Sequence, residues 1–383
     1  APVRGAVRDG LAALASLDER VAAGEESPAL AAPLRERLDV ARTVAVNATA
    51  FGNVIANGTE ASITGGSTVT ADGPIALAAA DESSIVSFGV SVAGSGAVAV
   101  GAIIGANVVT NHVAALIVGS HVTTGSALDL SATSDASILG LTTGVAASGA
   151  ASVLVSLSAN VVATITEARI LDERVLDDDG QVLSSSASVV DAGGNVTLTA
   201  MDSSTIDALA FGVAGAGGGA VGVALAANVI ANQVATAVRG TTLDTDGGLS
   251  LSSESTAVIR ALAVGVSASG GFAVQVTALG NAIANTVTAT IEDSQITAAG
   301  DVSLRAADLA PSLIPSWMVP EDQVDTVNEN LEGSPLSLDG NILAVTISVA
   351  GTGGVAVNAV LSGNVITNTV AAQVIDSTVT STA

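Results

Sequence analysis

The chain contains no cysteine, no lysine and no tyrosine, and its aromatics are one Trp and four Phe in 383 residues. Without cysteine there are no disulfide staples, thiolate metal ligands or cysteine nucleophiles. With aromatics at 1%, a core must be assembled from Val, Ile, Leu and Ala, which suits stacked strands better than a globular pocket. Without lysine, all eleven cations are Arg, against 36 Asp and Glu, for a formal net charge of −25. Six of the eleven (Arg4, Arg8, Arg20, Arg35, Arg37 and Arg42) lie before residue 43, so the remainder is more acidic still. Nucleic-acid binding needs a basic footprint and is excluded as a function class. An anionic membrane surface would repel such a chain. The most apolar run, residues 97–118, is interrupted by Gly101, Gly105, Asn107 and Asn111, so no membrane insertion is expected.

What is present is a repeat. The motif Asn-x-hydrophobe-x-Asn recurs as Asn53 to Asn57, Asn107 to Asn111, Asn228 to Asn232, Asn281 to Asn285 and Asn364 to Asn368. A degenerate copy begins at Asn160 and carries Thr164 in the closing position. The first Asn residues are spaced 54, 53, 68, 53 and 83 apart, a period of about 53 with two expanded intervals. A second marker, Val69, Val122, Val189, Leu243, Ile296 and Val379, expands at the same two places. The extra residues map to insertions at 171–188, containing Asp177, Asp178, Asp179 and Gly180, and at 309–340, containing Pro311, Pro315, Pro320 and Trp317. Both read as surface loops.

Within a unit, Val86, Phe88, Val90 and Val92 alternate with smaller residues, the pattern of a half-buried strand. A Gly/Ser turn follows at residues 93–96, then Val98, Val100, Ala102 and Ile104. Beyond Asn107 the hydrophobes change parity to Val109, Val113, Ala115 and Ile117, which predicts a bend or bulge there. The expected fold is all-β: a β-solenoid over residues 44–383, with about five short strands and about two coils per unit. Residues 1–43 differ. Val7, Leu11, Leu14, Leu17 and Val21, then Leu30, Leu34 and Leu38 after Ser27-Pro28, have helical spacing and predict a short α-helical cap or linker. They lack the basic and apolar runs of a signal peptide, and the sequence begins without Met, so it is read as a mature chain or a segment of a longer one.

The recurring amides (Asn53, Asn57, Asn107, Asn111, Asn160, Asn228, Asn232, Asn281, Asn285, Asn364 and Asn368) share a face with Ile230 and its equivalents. They are expected to point inward and to bond turn backbone or one another. Chemistry-bearing constellations are sparse. His112 and His121 do not recur, since Gln233, Thr286 and Thr369 occupy the first one's place, and both are expected on the outward face. Asp177, Asp178, Asp179, Asp244 and Asp246 are the calcium candidates, although no Glu completes an EF-hand loop. Paired carboxylates beside sugar-stacking aromatics, as a polysaccharide-cleaving β-helix needs, are missing. No catalytic residue or cofactor is therefore assigned, and the chain is not expected to be an enzyme.

The Ser-x-hydrophobe-x-x-x-Gly-x-hydrophobe-x-Leu-x-Ala/Ser pattern at Ser67 to Ala79 and Ser294 to Ala306, with the stretch from Ala97 to Val113, resembles filamentous-haemagglutinin-like and leukotoxin-type filamentous adhesins, which are large bacterial surface proteins. The likeness covers roughly residues 44–383. It implies secretion to the cell surface, a β-solenoid shaft and a role in adhesion or matrix, with host or matrix surfaces as partners; no catalytic residue carries over. The repeat pattern runs on through Val370, Val374 and Val379 to Ala383, so an open β edge is expected there, joining another copy or an adjacent segment of a longer chain end to end. A carbohydrate-binding or carbohydrate-active β-helix module is the opposing expectation.

Overall fold

Asn53, Asn107, Asn160, Asn228, Asn281 and Asn364 stand side by side on six neighbouring parallel strands. One repeat unit therefore winds one coil of a β-solenoid. The computed structural model describes residues 44–177, 179–314 and 339–383. Every regular element among these residues is a strand. The helical segment expected over residues 1–43 lies outside the described residues, as do Asp178 and the central part of the 309–340 insertion.

Each coil contributes to four sheets, called first to fourth in the order the chain meets them. In the opening coil the strands are Val44–Ile55, Gly58–Ile63, Thr68–Ala71 and Ile75–Ser95. The first three sheets each hold six strands, and the fourth holds five levels, all paired in parallel register. The expectation of two coils and five short strands per unit is corrected to one coil and four strands. The fourth is 21 residues long, too long for a two-coil unit. Adjacent parallel strands are ~4.8 Å apart, so a unit adds ~4.8 Å of length rather than about 10 Å. Register also corrects one marker: Val190, not Val189, stands beside Val122 and Leu243.

The long fourth-sheet strand runs past two lobes. Its first half closes a triangular prism with the second and third sheets, filled by Leu77, Val113, Ile117, Val122, Leu130 and their equivalents. Its second half turns back at residues 94–97 and lies against the first sheet of the next coil. This makes a flat sandwich whose core runs from Ile85, Val109, Ile138 and Ile230 to Ala93, Ala99, Ala146 and Leu154 near the tip.

The bend predicted at Asn107 does not exist. Val98–Val109 pairs without interruption on both sides, and one parity points inward throughout: Ala99, Gly101, Ile103, Gly105, Asn107, Val109. The hydrophobes change parity because their direction changes. In the prism the large apolar residues face in; along most of the sandwich, beyond the Ile85 and Val109 layer, they face out. Val86, Phe88 and Val92 are 59%, 64% and 62% exposed, whereas Ser87, Ser91 and Ala93 are buried.

Beyond the Ile85, Val109 and Ile138 layer, small inward residues let the two sandwich sheets approach closely toward the tip, and Leu154 fits there because its neighbours are glycine. Leu154 is fully buried between Gly101 and Gly222 on its own sheet and opposite Gly144 and Gly212. A Cβ on Gly144 would lie 2.6 Å from Leu154 Cδ1, and one on Gly101 2.9 Å from it. Two coils further, on the other side of Gly222, Gln275 fills the gap beside Gly222 and Gly265.

Both insertions leave at defined points. The first departs between the second and third sheets and forms an antiparallel hairpin, Glu173–Leu176 with Val182–Ser186. It is tied down by buried Asp172, which accepts from Arg174 Nε (2.6 Å), Arg239 Nε (2.9 Å) and Ser185 Oγ (2.6 Å). Burial alone would raise the Asp172 pKa, but these donors outweigh it and hold the carboxyl below its usual range. The second insertion splits the last long strand into Val302–Leu309 and Ile342–Thr352. Asn341 donates to Ala257 O (3.0 Å) where the chain rejoins the sheet.

Candidate functional site

Where the two lobes meet, the interior is polar. The first Asn of each motif joins an unbroken amide ladder. Asn53 Nδ2 donates to Asn107 Oδ1, Asn107 to Asn160, Asn160 to Asn228, Asn228 to Asn281 and Asn281 to Asn364, each at 2.8 Å. Every internal member both gives and receives, so each buried amide has a partner on both sides along the stack.

The second Asn does a different job at the adjacent corner. Its Oδ1 accepts the backbone N–H of the preceding coil's corner residue: Asn57 N to Asn111 (3.1 Å), Thr164 N to Asn232 (3.1 Å), Asn232 N to Asn285 (3.1 Å) and Asn285 N to Asn368 (2.8 Å). Its Nδ2 turns to a column on the fourth sheet that reads Asp81, Ser134, Asp202, Ser255, Asp308. Each Asp clamps two consecutive corners. Asp81 takes Asn57 (2.9 Å) and Asn111 (2.7 Å). Asp202 takes the Thr164 hydroxyl (2.6 Å) and Asn232, and Asp308 takes Asn285 (3.4 Å) and Asn368. The coils are thus clamped in pairs. Alternation with serine keeps the carboxylates two coils, ~9.6 Å, apart instead of ~4.8 Å, where they would repel. Thr164, which breaks the motif, still donates to its Asp.

Asp202 is the most enclosed of these acids, at 3% exposure. Burial pushes its pKa up to about 6 against the pull of hydrogen bonds from Thr164, Ser204 and Asn232. Nearby on the outward side, Asp135 is raised as well, by burial and by the neighbouring Glu82.

The corner between the second and third sheets carries a hydroxyl ladder. Ser120, Thr241, Ser294 and Ser377 each donate to the carbonyl two residues back, at 2.7–2.9 Å. Ser188, Ser294 and Ser377 also accept a backbone N–H from the coil before, at 3.0–3.3 Å. The preceding residue turns left-handed: Gly119 (φ 55°), Gly240 (58°), Asp293 (48°) and Asp376 (46°).

The remaining sequence candidates are scattered. Asp177 Oδ1 accepts the backbone N–H of Asp179 (3.0 Å) and of Gln181 (2.7 Å), closing the hairpin turn. Asp244 and Asp246 are exposed at the third sheet, far along the coil, with Asp244 beside Asp191. His112 faces outward and pairs with Glu167 Oε1 (3.0 Å); His121 is exposed on a third-sheet strand. Among the described residues no three His, Asp or Glu side chains converge on a common point.

The sequence reading missed the Asp/Ser column, although its spacings of 53, 68, 53 and 53 match the Asn period and could have revealed it. It also missed the hydroxyl ladder. No protein-family model, no curated protein and no solved structure matches the chain.

Proposed function

We propose that the chain is a structural segment of an extracellular or cell-surface filament, an adhesin stalk or matrix element that binds by its surface and carries out no catalysis. The observation that supports this reading is the continuity of the ladders. Every coil offers its neighbour the same ladder amide, and most offer the same corner and hydroxyl partners, so a further coil can be added without new chemistry. The last coil, with strands Val355–Ile366, Thr369–Ile375 and Thr378–Ser381, presents this set on an edge that no described strand covers. Another copy, or an adjacent part of a longer chain, would continue it head to tail. The resemblance to filamentous adhesins points the same way.

Electron microscopy and sedimentation of the purified chain across concentration and salt test the reading. Extended particles that lengthen as salt screens the charge are expected. A saccharide screen that finds turnover, lost on changing one acidic residue, would replace it with the carbohydrate-active alternative.

A further inference from the structure

The outer face of the first sheet is built the wrong way round for a surface in water. None of its six 12-residue strands contains a charged residue, although the whole chain carries a net −25. Its outward positions are held by residues such as Val153, Val155, Leu157, Val221, Val223 and Leu225, while the inward ones are mostly Ala, Gly, Ser and Asn. Val46 and Val54 in the first coil are both 71% exposed, and Val355 in the last is 61% exposed. Six coils at ~4.8 Å and 12 residues at ~3.3 Å give a face of roughly 1,100 Å². A monomer rarely shows an apolar patch beyond a few hundred Å², and a stable interface buries about 800 Å² per partner.

We propose that this face pairs with the same face of a second copy, as a two-fold sandwich lying alongside the coil axis. Three observations select this occupant. The face is uncharged, so two identical faces can meet without burying an unpaired charge. The acidic residues sit elsewhere, mainly around the prism, and remain in water when the faces close. A lipid bilayer suits the lobe less, because hydrocarbon would leave the backbone groups of the array's two axial edges unsatisfied. The opposite side of the lobe is a poorer docking face. It carries the Asp207–Arg260 ion pair (2.6 Å), and Leu313 and Ile314 of the second insertion already share its cleft with Leu262 and Val345. Lateral pairing is perpendicular to coil stacking and does not depend on end-to-end growth.

The test is sedimentation equilibrium of the parent beside the Val223→Glu and Leu225→Glu variants, whose changes point outward from the middle of the face. The parent is expected to dimerise and each variant to lose at least tenfold in association, with an unchanged far-ultraviolet circular dichroism spectrum. Because the chain has no cysteine, Leu225→Cys provides an independent readout: a short bis-maleimide should link two copies, whereas Gln233→Cys on the other lobe should give no dimer. Leu225 lies two coils from the last edge, so an end-to-end contact would not produce this cross-link. A parent that stays monomeric at its highest soluble concentration overturns the proposal. So does association unaffected by both charges and without the cross-link, or flotation of the monomer with phosphatidylcholine vesicles.

Discussion

At the scale of the residue, stability in this chain rests on amides and hydroxyls as much as on hydrocarbon. Asn228 gives one hydrogen bond and receives another within the ladder while only 1% exposed. Asn228→Ala strands both neighbours and should lower stability by about 1–3 kcal/mol, read as a shift of the denaturation midpoint. A midpoint equal to the parent's would mean that the ladder does not hold the coils. Asp202 makes a prediction about pH. Folded, it keeps its proton up to about pH 6; unfolded, it releases it near 3.8. Between those values the folded state binds more protons, so stability falls as pH rises from about 4 to about 6, and this group adds no further change above that. Asp172, held low, acts in the opposite sense, its stabilisation being lost only as pH falls through its depressed folded pKa. Asp202→Asn should flatten the profile between pH 4 and 6 without touching the acid limb. An unaltered profile would show that another group titrates there.

At the scale of the element, the period and the solenoid class were legible in the sequence, because each coil repeats the same corner chemistry at the same interval. The direction of the side chains was not. Val98, Val100, Ala102 and Ile104 look like a buried set, and the rule that large apolar residues face inward turned their parity into a bend at Asn107. Beyond the Ile85, Ile138, Val109 and Ile230 layer the sandwich reverses that rule: toward the tip mostly glycine, alanine and serine face in. The position of Leu154 is the clearest sign of this constraint. A single-coil reading would call its neighbours Gly144 and Gly212 flexible; across coils they are the space that Leu154 fills. Gly144→Val should cost about 1–3 kcal/mol through overpacking. Adding Leu154→Ala should recover part of that loss, giving a coupling energy in a double-mutant cycle. Additive losses would mean that the two positions do not share the space. The Asp81, Asp202 and Asp308 clamps were harder to see for a related reason: serine alternates with aspartate, so only the spacing of the column, and no single residue type, repeats.

At the scale of the whole molecule, charge and apolar surface are segregated. The prism and the insertions carry nearly all the acidic residues beyond residue 43, and the sandwich carries only the Asp207–Arg260 pair. One coil per unit makes the array broad and short, since 21 extended residues span roughly 70 Å while six coils rise only roughly 29 Å. A filament built from it would be a ribbon whose length comes from adding units. The one-coil winding is the premise of every ladder, clamp and face described above, and it is open to direct measurement. Gln233 and Thr286 are exposed, paired neighbours on the second sheet, 53 positions apart in the chain. Placed there in a chain with no other thiol, two cysteines should form an intramolecular disulfide on mild oxidation, because adjacent parallel strands bring their Cα atoms to ~4.8 Å, within bridging range. If one unit wound two coils, the same pair would stand ~9.6 Å apart and stay reduced, and that result would contradict the account.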